Sequence, residues 1–157
     1  MEIIILRVEL FPYRNEVRKV LIPYLEDLDE DQWIATNQGY PNNIAWVISH
    51  ISLSEDYWVN QIGLKNSPLL TITPASLPHE ILGAYVDIRK QIDDILCTIS
   101  QEELHSTLLV PEFSDGWVPP STPTWKWLFH HVFTHEVYHV GQIGIIARLN
   151  GFKGPLF

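Results

Sequence analysis

His130-His131-Val132-Phe133-Thr134-His135-Glu136-Val137-Tyr138-His139-Val140-Gly141-Gln142 holds four of the chain's seven histidines and decides how the rest of the sequence is read. Alternating steps of four and three residues run through Leu128, Val132, His135, His139, Gln142, Ile146 and Leu149. That spacing predicts one face of a bundle helix. His135 and His139 occupy positions on this seam where apolar residues are expected. Residues four apart stack on the same helix face, so the two imidazoles can converge on one cation.

Outward from this stretch, three more segments have helical character, separated by clusters of Pro, Gly and Asn, with no internal repeat. The spacing predicts a first helix from about Leu10 to Leu28, disturbed at Pro23. A second follows Gly39-Tyr40-Pro41, capped by Asn42 or Asn43 and ending near Gly63. A third runs from near Pro78 to Ser100, with an apolar stripe that includes Ile81, Tyr85, Ile88 and Ile92. After a Pro-rich loop from about His105 to Pro123, the fourth helix extends to about Asn150, where Gly151 can close it. The expected fold is all-α, a single-domain four-helix bundle over residues 1–157.

Composition narrows the function classes. A content of 46% hydrophobic residues suffices for a core, and 19 acidic against 10 basic residues give a net charge of -9. Phosphate-backbone binding needs clustered Lys and Arg, so nucleic acid is excluded as an expected partner. The opening Ile3-Ile4-Ile5-Leu6 is too short to span a bilayer. No membrane partner is expected. Cys97 is the sole cysteine, which rules out an intramolecular disulfide and suits a reducing cytoplasm.

The second helix carries an equivalent seam through Val47, His50, Ser54, Tyr57 and Gln61. His50 thereby joins His135 and His139 as a candidate ligand. Burying unpaired imidazoles costs on the order of 1–3 kcal/mol each, a penalty that a shared cation removes. Three histidine ligands leave one position of a tetrahedral metal open, as chemistry requires and closed structural zinc sites do not permit. His130 is read as exposed and His131 as a pocket residue, while Gln142 can hydrogen-bond a ligand or a metal-bound histidine. Glu136 points about 100° away from the seam, which favours a salt bridge over a general-base role. Glu55 and Asp56 read as a solvated or dimer-facing edge, and Cys97 as core. Gly141 and Gly144 leave room for another helix. Trp117, Trp125, Trp127, Tyr57 and Trp58 are candidates for a pocket wall or simply for core. The stiff apolar loop from Pro111 to Thr124 reads as a lid or as a hydrophobic cap.

Asn43-Ile44-Ala45-Trp46-Val47-Ile48-Ser49-His50-Ile51, together with the block from His131 to Ile143 and with Arg148-Leu149-Asn150-Gly151, resembles the DinB/YfiT-like superfamily of metalloenzymes. The resemblance implies up-down-down-up connectivity, a homodimer, and a divalent metal held by His50, His135 and His139. Zinc or nickel is the expected metal, ahead of iron or manganese. It further implies a small-molecule substrate and thiol-dependent transferase chemistry with bacillithiol or mycothiol, hydrolysis being the other expected reaction. One departure is Val140, where many members carry a basic residue before the Gly-Gln pair. A non-catalytic module that binds a metal or ligand in a stress response, or a purely structural bundle, is the competing class.

Overall fold

The computed structural model describes residues 8–157, so the apolar opening at Ile3–Leu6 lies outside the described residues. The elements are α1 (Glu16–Asp27), α2 (Glu30–Ile34), α3 (Ile44–Asp56), α4 (Pro78–Thr98), α5 (Gln101–Leu104) and α6 (Trp125–Leu149). A π-helical stretch, Tyr57–Gly63, prolongs α3. No strand occurs among the described residues, and none of their helices is long and apolar enough to cross a membrane.

Helix starts follow local chemistry. Asn43 is the cap of α3, its side chain accepting the Trp46 N–H at 2.8 Å, and Thr124 caps α6 by accepting the Trp127 N–H at 3.2 Å. Pro78 opens α4, and the Glu80 carboxylate reaches back to the Leu77 N–H at 3.0 Å. Gly151 takes φ +77° beyond the end of α6, as its place in the sequence predicts.

The first helix is shorter than expected, beginning at Glu16 rather than Leu10. Pro12 explains the difference, because it biases Phe11 away from helical geometry and brings no N–H of its own. Turns fill residues 9–15 instead. Pro23 lies inside α1 without ending it. α4 stops at Thr98, and Ser100 and Glu103 form a capping box that starts α5 anew. α2 was not expected. Its signal is Asp29-x-x-Gln32, which makes the reciprocal capping bonds, and Trp33, only 2% exposed, ties five residues that would not hold a helix alone to the core.

Two clusters of buried side chains fix the helix directions. The first joins Leu21 and Leu25 from the end of α1, Ile44 to Ile51 from the start of α3, Ile81 and Tyr85 from the start of α4, and Val140 to Ile146 from the end of α6. At the other end, Trp58 to Ile62, Ile92 to Ile99 and Trp125 to Phe133 pack together, with Phe11 against them. α3 and α4 therefore run parallel, and α1 and α6 run against them. This is the expected up-down-down-up bundle.

Parallel neighbours require residues 64–77 to travel back along the bundle. Asp56 anchors that return, accepting the Leu69 N–H at 2.9 Å, the Leu70 N–H at 2.8 Å and Asn60 Nδ2 at 2.7 Å. Ile72 then packs on the first cluster. Asp56 is consequently buried, not the solvated or dimer-facing edge that its sequence position suggested.

The other departure inside the bundle is a buried ion cluster. Arg18 of α1 and Arg89 of α4 both contact Glu55 of α3 and Glu136 of α6. Arg18 Nε donates to Glu136 Oε1 at 2.8 Å and Arg89 Nη2 to Glu136 Oε2 at 2.7 Å. Tyr85 donates its hydroxyl to Glu136, and the Arg18 guanidinium lies 3.6 Å from the centre of the Tyr85 ring. Two positive and two negative groups thus compensate one another where neither pair alone would be tolerated. Glu55 was expected at an edge; it is fully buried because the two arginines neutralise it. The salt bridge expected of Glu136 is present.

Candidate metal centre

His50 of α3 and His135 and His139 of α6 meet beside the ion cluster. Their available ring nitrogens all lie within 4.8 Å of one another, and His50 Nε2 stands 3.2 Å from His135 Nε2. A tetrahedral metal with bonds of about 2.0–2.1 Å places its nitrogen ligands roughly 3.3–3.4 Å apart. The His50–His135 pair is already at that spacing. The donor set fits a divalent transition-metal ion, because all three ligands it offers are imidazole nitrogens of intermediate softness.

Neighbouring side chains set the ring orientations. His139 Nδ1 donates to Gln142 Oε1 at 2.9 Å, which leaves Nε2 as the nitrogen with a free lone pair. Trp46 stacks on His50, with ring centres 4.8 Å apart and planes within 5°. Nothing in the periodicity marks Trp46 as part of the site, although its position four residues before His50 places it on the same face. Burial, followed by the charge of His139, lowers the His50 pKa to about 4 and that of His135 to about 3. Both are neutral at pH 7, the form that ligates metal.

The seams predicted from spacing hold in part. His139 is buried at 8% exposure, whereas His50 and His135 are half-buried and look into an open cavity, not into the centre of the bundle. Leu149, the last seam position, is exposed. The innermost face of α3 is instead Ile44, Val47, Ile48 and Ile51.

The cavity measures about 330 Å³ and is lined by His50, Trp58, Phe113, Asp115, Trp117, His131 and His135. His131 therefore joins the site as expected, and His130 is exposed. The Trp127 ring lies parallel to His131 at 4.8 Å, and Trp58 meets it edge-on at the same separation. Burial, and then the charge of His130, lowers the His131 pKa. Phe113 and Trp117 come from the Pro-rich loop, whose ends are held by the Leu108 N–H donating to Pro123 O at 2.8 Å. Gly116, at φ +78°, turns the chain between them.

Several other candidates fall elsewhere. Trp125 is core, packed on Phe129 and directly over Gly63, where even a Cβ would come within 2.3 Å of its ring. Tyr57 touches Trp58 and Phe113 without lining the cavity. Cys97 is only half-buried. Among the described residues nothing lies within 4 Å of a Cβ placed on Gly141, while Gly144 lies beneath Gly154 of the C-terminal segment. His105 bonds the carbonyl of Gln101 and His79 starts α4, both away from the metal centre.

Residues 15–143 match the sequence model of the DinB superfamily. The chain is also similar to the uncharacterized protein YizA of Bacillus subtilis (strain 168), with 24% identity over 138 residues that cover 88% of this chain and 84% of that protein.

Proposed function

The chain belongs to the DinB superfamily, and from that premise we propose that His50, His135 and His139 hold one divalent metal ion and that the protein is a metal-dependent transferase or hydrolase acting on a small molecule. The observation that carries this reading is the convergence of three imidazoles from two helices, two of the rings lining an open cavity. Zinc or nickel suits the site best, with iron and manganese behind. When bound, the metal acts as a Lewis acid that makes a coordinated water or thiol nucleophilic near neutral pH.

The chain's own groups divide the remaining work. Gln142 fixes the tautomer of His139, and Trp46 holds the plane of His50. Trp58, Phe113 and Trp117 restrict water in the cavity, and His131 offers a neutral ring nitrogen to a substrate lying there. In its finer form the reaction is thiol-dependent transfer with a low-molecular-weight thiol. Val140 stands where many members carry a basic residue, so a substrate contact made by such a residue is missing here. A cytoplasmic homodimer completes the proposal, the exposed Val137, Tyr138, Ile145 and Leu149 of α6 supplying an apolar surface for the second copy.

The test is elemental analysis of untagged protein purified without chelator, alongside His50→Ala, His135→Ala and His139→Ala. About one metal per chain, lost in each variant, supports the site, and turnover with thiols and varied electrophiles then selects transferase or hydrolase. A parent protein that takes up none of Zn, Ni, Mn or Fe(II) overturns it.

A further inference from the structure

The cavity beside the three histidines has a charge pattern of its own. Among its lining residues no Lys or Arg occurs, and the one carboxylate is Asp115. Asp115 Oδ1 accepts the Trp117 N–H at 3.0 Å, which fixes the carboxylate on the Phe113–Gly116 turn. No described Lys or Arg forms an ion pair with it. The same cavity is lined by aromatic rings, with the Trp117 ring centre 5.5 Å from that of Phe113 and 6.0 Å from that of Trp58.

We propose that this cavity selects a small molecule with an apolar, flat body and an ammonium group separate from the metal-binding atom. The proposal rests on the metal-centre reading and adds the class of substrate to it. A metal on three neutral imidazoles favours an electron-rich head such as a thiolate. Indole faces favour an apolar or cationic body. The carboxylate at the rim favours a cationic tail, and nothing lining the cavity compensates an anionic one. A dicarboxylate or phosphorylated substrate would meet Asp115 without a basic partner. The charge order of preferred ligands is therefore cation, then neutral, then anion.

The experiment uses the full chain, zinc-loaded and chelator-treated, with three benzyl thiols whose para substituent is aminomethyl, methyl or carboxylate. Quenching of tryptophan fluorescence reads binding, and elemental analysis of the same samples reads metal independently. The aminomethyl thiol should bind about two- to five-fold more tightly than the methyl thiol, the size expected of one exposed cation–π or ion-pair contact, and the carboxylate thiol should bind most weakly. Asp115→Asn keeps the oxygen that accepts the Trp117 N–H and should bring the aminomethyl probe down to the level of the methyl probe. Asp94→Asn, exposed on α4, removes the same charge elsewhere and should leave the order intact. A carboxylate probe that binds as tightly as the amine, or an order unchanged by Asp115→Asn, overturns the proposal. Absence of metal in the elemental analysis overturns the metal-centre reading by itself, because the charge order is still read in chelator-treated protein.

Discussion

His135 and Glu136 are consecutive, yet they serve different faces of α6: His135 Nε2 stands 3.2 Å from His50 Nε2, while Glu136 Oε1 accepts from Arg18 Nε at 2.8 Å within the buried interior. The same pairing recurs on α3, where His50 faces the cavity and Glu55 meets Arg18 and Arg89. Each helix that carries candidate ligands is thus held by a carboxylate on one shared pair of arginines. The rotation of α3 against α6, and with it the spacing of the imidazoles, is set by the ion cluster.

Removing one member of that cluster should be costly. Arg89→Leu leaves Glu55 and Glu136 sharing Arg18 alone in a buried setting, and urea denaturation should register a loss of about 3–5 kcal/mol. Metal affinity should fall with it. A stability unchanged within 1 kcal/mol, a small fraction of the expected loss, would show that the cluster is not what holds the helices.

Gln142→Leu should act on metal binding without disturbing the fold. The variant deletes the acceptor for His139 Nδ1 and leaves the ring free to rotate. Competition with a chromogenic chelator should show about 10–100-fold weaker metal binding, the usual effect of losing a hydrogen-bond partner of a metal-bound histidine. Gln142→Glu, which restores an acceptor, should recover most of it.

The lowered pKa values of His50 and His135 predict how the metal-free protein responds to acid. In the unfolded chain both titrate near the usual value of about 6.5, whereas in the folded chain they do so at about 4 and about 3. Below about pH 6.5 the unfolded state binds more protons, so stability must fall as pH is lowered and must level off once the folded state is protonated as well. Above about pH 7 these two groups add no slope. Urea midpoints of chelator-treated protein from pH 7.5 to 4 should show this decline, and His135→Ala should flatten it.

Trp117→Ala separates a lid from a structural cap. Trp117 is 37% exposed, so its removal should cost little stability while opening the cavity toward Asp115. Ligand affinity should weaken with the melting temperature nearly unchanged. Unchanged affinity together with a lower melting temperature would make the loop a cap.

Local chemistry written in the sequence determined the helices, their caps and the identity of the clustered histidines. Spacing of four places His135 and His139 on one face wherever a helix forms, and Asn43, Thr124 and Gly151 mark helix ends through hydrogen bonds and backbone freedom that no distant residue supplies. Glu55 and Asp56 show where this reasoning stops. An acidic pair late in a helix is solvated unless distant groups compensate it, and the compensating groups here are Arg18, Arg89 and the backbone of Leu69 and Leu70. The tertiary structure decided their burial, the contact between His50 and His135, and the assembly of Trp58, Phe113, Asp115 and Trp117 around one cavity. Side-chain periodicity reports the face of a single helix, whereas these contacts depend on how far each helix is rotated and where each loop returns, which only packing of the whole chain sets.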